Sequence, residues 1–190
     1  GRWELPGTGS CPFDADTTMI TAVIGAAGQL GTDLLKLLHG DVVPIRHSDM
    51  ELTNPDSIAG CLDRIHPEFV INSAAYNLVD RAEDEIEQAF SVNAFGPARL
   101  ARWCLQHQAT LVHFSTDYVF GRHLTTIPES GDLVPKLETD AAFPESVYAA
   151  SKHSGENLVQ AICPRHFVIR TCGLYGVAAT QGAGKGNFVE

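Results

Sequence analysis

Patterns typical of metal sites and disulfide frameworks are missing from this sequence. None of its eight histidines forms an H-E-x-x-H motif or a cluster with ligand spacing, so we expect no metal. The five cysteines are odd in number, widely spread and never arranged as a C-x-x-C pair. This usage is typical of a reduced, cytoplasmic protein rather than of a disulfide-stabilised secreted domain.

A long apolar run and an excess of positive charge are also missing. No stretch approaches the ~18 apolar residues of a membrane helix, and residues 1–18 lack the features of a signal peptide. The formal net charge is -10, so we expect neither nucleic-acid binding through a basic face nor a membrane partner. A small anionic ligand remains compatible with this charge because a helix N-terminus attracts phosphate locally.

The 190 residues alternate short apolar runs with stretches of helical periodicity. This alternation predicts an α/β fold with a doubly wound parallel sheet, the NAD(P)-binding Rossmann fold. The predicted strands cover residues 20–24, 42–45, 69–72, 110–115 and 166–171. The predicted helices cover residues 29–39, 55–65, 84–108 and 146–162.

The predicted Rossmann domain covers residues 19–176. Residues 1–18 are interpreted as a disordered leader or a non-native extension upstream of a start at Met19. Residues 121–144 are rich in Pro, Gly, Ser and Thr, and they predict a long loop of the kind that is often functional. Residues 177–190 are interpreted as the beginning of a truncated substrate-binding region.

A G-x-x-G-x-x-G motif lies where the first predicted strand meets the first predicted helix. In this position Gly25 permits a sharp turn, Gly28 lets a pyrophosphate approach, and Gly31 lets the helix pack closely on the sheet. Gln29 and Leu30 complete the loop and are counted with the candidate cofactor-binding residues. The alternative is a simple strand-to-helix turn.

Arg46 follows the second predicted strand, where NAD-preferring folds place an acidic residue on the adenosine ribose. A cation at this position accommodates a 2′-phosphate, so the sequence predicts NADPH as cofactor with NADH as the second choice. The alternative interpretation of Arg46 is a solvated surface charge.

Tyr148 and Lys152 are four residues apart on a predicted helix and therefore share a face. A neighbouring ammonium is expected to lower the pKa of the phenol and make it a proton donor to a carbonyl near neutral pH. Thr116 directly follows the fourth predicted strand, at the edge of the sheet where ligands of open α/β folds bind. Its hydroxyl is expected to meet the substrate oxygen.

With these motifs the chain resembles the extended short-chain dehydrogenase/reductase superfamily, from Met19 to its end. Within that superfamily it is most similar to the dTDP-4-dehydrorhamnose reductases. The similar segments are VINSAAYNLVDRAED, SVNAFGPARLA, HFSTDYVFG, VYAASK and VIRTCGLYG. The resemblance implies reduction of a 4-keto-6-deoxy nucleotide sugar by NAD(P)H, and we further expect a homodimer.

The resemblance also implies roles for individual residues. Thr116, Tyr148 and Lys152 would be catalytic, with Tyr148 as proton donor. Thr116 and Tyr148 would also contact the sugar. Asp117 and Tyr118 would also contact the substrate. The implied contacts to the cofactor are Glu51, Leu52, Asn72, Ala74, Ala75, Tyr76, Tyr148 and Lys152.

The sequence departs from the family pattern in three places. Ala149 replaces the usual Gly after the tyrosine, and Gly173 stands where many members have Trp. The C-terminal region that grips the nucleotide sugar is absent, so we expect this chain to bind cofactor better than substrate.

Two alternative functions are retained. One is a nucleotide-sugar dehydratase or epimerase of the same superfamily, but dehydratases usually have Asp-Glu after the catalytic Thr, and here Tyr118 follows Asp117. The other is a non-catalytic NADP-binding regulatory subunit, similar to the β subunit of methionine adenosyltransferase. The intact Thr116, Tyr148 and Lys152 disfavour it.

Overall fold

A computed structural model describes residues 19–121 and 135–176. The predictions for residues 1–18, for residues 122–134 of the long loop and for residues 177–190 lie outside the described residues. Within the described part, no helix has the length and apolarity needed to cross a bilayer.

Five parallel strands form one sheet in the order β2-β1-β3-β4-β5. The order reverses around β1, because β2 pairs with one side of it and β3 with the other. This is one of the two common doubly wound arrangements, and the predicted Rossmann-like α/β fold is confirmed. The strands are β1 Ile20–Ile24, β2 Asp41–Ile45, β3 Phe69–Asn72, β4 Thr110–Thr116 and β5 His166–Thr171.

The helices follow the predicted ones closely, except in the middle of the chain. The α2 helix begins with Pro55, and the Asn54 side chain caps it by accepting from the amides of Asp56 and Ser57. Ser146 caps α6 in the same way through the amide of Ala149. The helices are α1 Gln29–Leu37, α2 Pro55–Ile65, α3 Val79–Ala82, α4 Ile86–Phe90, α5 Gly96–His107 and α6 Val147–Ile162.

The long helical region predicted for residues 84–108 is present, but it is not one regular α-helix. A π-helical segment, Ser91–Phe95, separates α4 from α5, and α3 lies just before them. Pro97 is at the start of α5 and has no amide to donate to the Asn93 carbonyl. The hydrogen-bond pattern therefore widens here, and π segments of this kind often lie near functional sites.

The strands at the two ends of the described sheet differ from the central ones. Pro44 lies in β2, where a missing amide is tolerated because one edge of the strand is unpaired. In β5, Phe167 is 61 % exposed and Ile169 is 40 % exposed. These alternate side chains of β5 share a face that the described residues leave uncovered.

The hydrophobic core lies between the sheet and α2, α5 and α6. Fully buried members include Val70 and Leu111 from the central strands, Leu62 from α2, Leu100 from α5 and Val159 from α6. Because these helices and strands share one core, the carboxyl ends of β1, β3 and β4 are held at fixed positions along one edge of the sheet.

Gly155 permits a close contact between α6 and the π-helical segment. A Cβ atom added there would overlap with the carbonyl oxygen of Asn93. The Asn93 carbonyl and the Gly155 backbone that would carry the Cβ are both packed, so neither can move aside at little cost in energy.

We therefore expect Gly155→Ala to lower the free energy of unfolding by about 1–3 kcal/mol, as overpacking does elsewhere. Gly60→Ala is the matched control, because Gly60 lies in α2 and a Cβ there would meet nothing within 4 Å. The control should gain up to about 1 kcal/mol from helix propensity. Urea unfolding of both variants tests this, and equal stabilities would contradict it.

Candidate functional site

A cleft of about 790 Å³ lies across the carboxyl ends of β1, β3 and β4. It is centred where the strand order reverses, the usual ligand position in doubly wound sheets. Most of the predicted site residues line it: Gly25, Gly28, Gln29, Leu30, Glu51, Leu52, Ala74, Ala75, Tyr76, Thr116, Asp117, Tyr118, Tyr148 and Lys152.

The glycine loop has the local geometry that its sequence predicts. Gly25 has a φ of 81°, and a Cβ there would lie 2.7 Å from the Ala74 amide nitrogen. A Cβ on Gly31 would overlap with the Gly25 carbonyl, so this glycine lets α1 pack against the loop. Gly28 donates to that same carbonyl at 2.9 Å.

The N-terminus of α1 is open at the cleft. Gly28 is its N-cap, no side chain caps the helix, and the first turn has no acidic residue. The first amides of the helix therefore point outward without a side-chain acceptor, which is the arrangement that binds an anion.

The segment after β2 contributes Glu51 and Leu52 to the cleft, together with His47, which the sequence did not single out. Thr53 donates its amide and hydroxyl to Glu51 at 2.9 and 2.8 Å, and these bonds lower the pKa of the carboxyl. Arg46 is exposed and is not among the residues that line the cleft. Its predicted contact with a 2′-phosphate stays a prediction.

Asn72 does not line the cleft, contrary to the expectation from the resemblance. It is fully buried, and its Oδ1 accepts from the Ala74 amide at 3.1 Å while its Nδ2 lies 3.2 Å from His113 Nδ1. Asn72 therefore holds the loop after β3 from behind. Ser73, which was not predicted, lines the cleft and donates to the Ile24 carbonyl at 2.7 Å.

Asn93 holds the same loop from the side. Its Oδ1 accepts from the Tyr76 amide at 2.8 Å, and its Nδ2 lies 2.9 Å from the Tyr76 carbonyl and 3.0 Å from Ser151 Oγ. The π-helical segment thus positions an amide group between the loop after β3 and α6. A bracing role for Asn93 was expected from the sequence, but its partners could not be identified from spacing, because they lie 17 and 58 residues away.

Thr116, Tyr148 and Lys152 all line the cleft. Thr116 Oγ1 lies 3.2 Å from both Asp117 Oδ1 and the Tyr118 amide. The Tyr118 ring meets the Tyr148 ring edge-on at 5.9 Å. The 3₁₀ turn Asp117–Phe120, directly after β4, therefore sets the surroundings of the Tyr148 phenol.

The expected lowering of the Tyr148 pKa is wrong. Burial raises the pKa of this phenol above its ordinary value, and a hydrogen bond with Thr116 offsets only part of the effect. Lys152 is 2 % exposed, and its ammonium donates to the Phe114 carbonyl at 2.7 Å. Burial lowers the pKa of Lys152 to about 8, while Glu156 acts to raise it.

Glu156, which is buried, and the half-buried Arg170 form an ion pair that the sequence did not predict. Arg170 Nε and a terminal nitrogen lie 3.0 and 2.7 Å from the carboxylate oxygens, and Glu156 is fully buried. Burial is the largest effect and acts to raise the pKa of Glu156, but the hydrogen bonds and charge of Arg170, together with Ser115 and His153, hold that pKa below its ordinary value. The one sequence signal was the position of Glu156, four residues after Lys152 on a helix.

Comparison with known proteins places these features in one family. The model of the RmlD substrate binding domain matches residues 19–190. The dTDP-4-dehydrorhamnose reductase of Aggregatibacter actinomycetemcomitans is 37% identical over 158 residues, which are 81% of this chain and 51% of that protein. The enzyme of the same name from Mycobacterium tuberculosis H37Rv is 39% identical over 168 residues, covering 86% and 51%. The chain thus spans about half the length of the curated relatives it matches.

Solved structures give the same result. A dTDP-4-dehydrorhamnose reductase of Clostridium acetobutylicum superposes with a TM-score of 0.77 at 35% identity, over 84% of this chain and 55% of that one. The enzyme of the same name from Bacillus anthracis, solved in complex with NADP, gives 0.76 at 32% identity over the same shares.

The buried ammonium of Lys152 leads to a stability prediction. Its pKa is about 8 in the folded chain against 10.5 for an ordinary lysine, so the unfolded chain holds an extra proton between these values. Stability therefore rises with pH across that window. We expect Lys152→Met to be more stable than the wild type at about pH 7, by about 1–3 kcal/mol.

This advantage should shrink as the pH rises from about 8 towards 10.5, because the wild-type lysine then becomes neutral in the folded state. Urea unfolding of both proteins at the two ends of this range measures the difference. An advantage that does not change with pH would show that desolvation of the ammonium is not its cause.

Proposed function

Because the chain belongs to the RmlD substrate binding domain family, we propose that the full-length protein reduces the 4-keto group of a 6-deoxy nucleotide sugar with NADPH. The observation that carries this proposal is the position of Thr116, Tyr148 and Lys152 in the same cleft as the glycine loop. A cofactor cradle and a proton donor that share one cleft can act on one carbonyl group.

The cleft fits a dinucleotide cofactor. Its volume of about 790 Å³ is in the range of ligand sites, and the uncapped N-terminus of α1 offers free amides to a pyrophosphate. At Gly25 the added Cβ would enter the loop after β3, so only glycine keeps the two loops this close. We propose that Gly28, Gln29 and Leu30 hold the pyrophosphate and that Glu51 and Leu52 lie by the adenine.

Further contacts are proposed along the rest of the cleft. Ala74, Ala75 and Tyr76 would lie along the cofactor, held in place by Asn72 and Asn93. Arg46 would meet the 2′-phosphate that distinguishes NADPH from NADH. When bound, the cofactor supplies a hydride to the carbonyl carbon of the sugar.

The chain's own residues handle the proton and the developing charge. The Thr116 hydroxyl and the Tyr148 phenol would donate hydrogen bonds to the carbonyl oxygen, and the Tyr148 proton would pass to that oxygen. Burial raises the pKa of Tyr148, so the phenol keeps its proton until the oxygen becomes basic. The ammonium of Lys152 would stabilise the phenolate that remains, and this phenolate would regain a proton from water in the open cleft.

Asp117 and Tyr118 are proposed to contact the sugar, since both line the cleft beside Thr116. The homodimer, the cytoplasmic location and the domain limits at residues 19 and 176 stay predictions. Substrate choice is proposed to depend on sequence beyond the half that this chain shares with its relatives.

The proton donor can be tested by Tyr148→Phe in the full-length protein. We expect turnover of a dTDP-linked 4-keto-6-deoxy sugar to fall about 10²- to 10⁴-fold, since general acid catalysis is lost, while NADPH binding changes little. NADPH oxidation measures the first quantity and cofactor fluorescence the second.

Tyr175→Phe is the control, because Tyr175 is exposed and does not line the cleft. It should keep wild-type turnover. Undiminished turnover in Tyr148→Phe would contradict the mechanism. A wild type that binds NADPH yet reduces no keto sugar would instead favour the regulatory function.

Cofactor choice can be tested by Arg46→Ala. We expect the affinity for NADPH to fall about tenfold while the affinity for NADH is unchanged, because only NADPH carries the 2′-phosphate. Arg64→Ala removes another exposed cation, in the last turn of α2, and should change neither affinity. A parallel loss for both cofactors in Arg46→Ala would contradict the assignment.

A further inference from the structure

A buried carboxylate lies one helical turn beyond Lys152. Glu156 is fully buried on α6, and residues four apart on a helix have neighbouring side chains. Its charge acts on Lys152, raising the pKa of that ammonium against the effect of burial. Lys152 has no carboxylate partner among the ion pairs of the described residues, and its only direct hydrogen bond there is to the Phe114 carbonyl.

The Glu156 carboxylate is held from two sides. Arg170 of β5 binds both of its oxygens, and His153 Nδ1 lies 3.3 Å from Oε2. In the sheet, Arg170 is paired with Ser115, the residue before Thr116. The Arg170 guanidinium also lies 4.8 Å from the centre of the Phe120 ring, in the turn after Thr116. The ion pair therefore connects α6, β5 and the segment that carries the Thr116 hydroxyl.

A purely structural role would not require charge. Replacing a buried ion pair by well-packed apolar side chains is often neutral or stabilising, because two charges must be desolvated. We therefore expect a charged pair in this position to act on another charged group. Lys152 is such a group, since its ammonium is almost as deeply buried as the Glu156 carboxylate.

The other ionisable groups around Lys152 do not replace Glu156. His113, on β4, is fully buried and neutral, because burial and the charge of Lys152 both lower its pKa. The Tyr148 phenol keeps its proton, since burial raises its pKa. Asp117 is exposed to solvent in the turn after β4. Among the described residues, Glu156 is thus the buried carboxylate next to Lys152.

We propose that Glu156, held by Arg170, is a positioning residue that keeps Lys152 charged at the cleft. The carboxylate does not touch the substrate. It acts through the ammonium, which would otherwise release its proton in so dry a position. Arg170 in turn keeps the carboxylate ionised and fixes its direction.

The catalytic consequence rests on the proposed function. A neutral Lys152 would not stabilise the phenolate left by proton transfer from Tyr148. Loss of the Glu156 charge should therefore impair turnover most where Lys152 is close to its pKa, and least at acidic pH. A residue that only stabilised the fold would lower turnover by the same factor at acidic pH and at a pH near the Lys152 pKa.

The charge of Lys152 can be measured without any turnover. We would titrate the full-length protein labelled with ¹³C at lysine Cε and assign the Lys152 signal by its loss in Lys152→Met. The wild-type signal should titrate with a pKa of about 8. In Glu156→Gln we expect this pKa to fall by about one pH unit, and in Glu156→Asp it should stay within ~0.3 of the wild type.

Asp63→Ala is the control for general destabilisation. Asp63 accepts from Trp103 Nε1 at 2.7 Å, between α2 and α5 and away from the cleft. This variant should lose stability and leave the Lys152 pKa unchanged. If Glu156→Gln does not fold, Glu156→Gln with Arg170→Gln removes the unpaired guanidinium, and the same fall in the Lys152 pKa is expected.

An unmoved Lys152 pKa in Glu156→Gln, or in the double variant Glu156→Gln with Arg170→Gln, would overturn the proposal. So would failure of both variants to fold, because the pair would then be a structural requirement. In the turnover assay, Glu156→Gln should lose about threefold in kcat at about pH 7.5, with KM for the sugar unchanged, and recover at about pH 6. If no turnover exists at all, the proposed function fails, while the titration still decides the role of Glu156.

Discussion

Burial of the Lys152 ammonium is the constraint on which the other parts of the site depend. A cation that is 2 % exposed must find an acceptor, and Lys152 finds the Phe114 carbonyl at the end of β4. This bond fixes α6 against the strand that carries Thr116. The Tyr148 phenol, one turn earlier on α6, is brought to the same cleft as a result.

The cofactor side of the cleft depends on backbone proximity rather than on charge. The turn at Gly25, the loop after β3 and the beginning of α1 lie so close together that a Cβ atom would separate them. Two asparagine side chains, Asn72 and Asn93, hold the loop after β3 through its amides. The pyrophosphate end of the cleft is thus shaped by closely packed backbone, whereas the part that is proposed to react consists of side chains on two elements.

Local patterns could be predicted from the sequence, and long-range ones could not. The strand β1, the helix α2 and the glycine loop depend on neighbours within a few residues, and their bounds were predicted closely. Tyr148 and Lys152 could be paired because helical spacing is local. The partnership of Glu156 with Arg170, and the place of Asn72 behind the loop, depend on side-chain directions that spacing does not reveal. The rise in the Tyr148 pKa was missed for the same reason, since its main cause is burial in the folded chain.

The π-helical segment Ser91–Phe95 makes the length of this region of the chain critical. Each residue of an α-helix advances by about 100° around its axis. Deletion of a single residue here would restore regular α-helical bonding. It would also rotate the part of the chain before the deletion by about 100° relative to α5. Asn93 would then turn away from the loop after β3. Insertions and deletions should therefore be far less tolerated in this helix than substitutions on its exposed face.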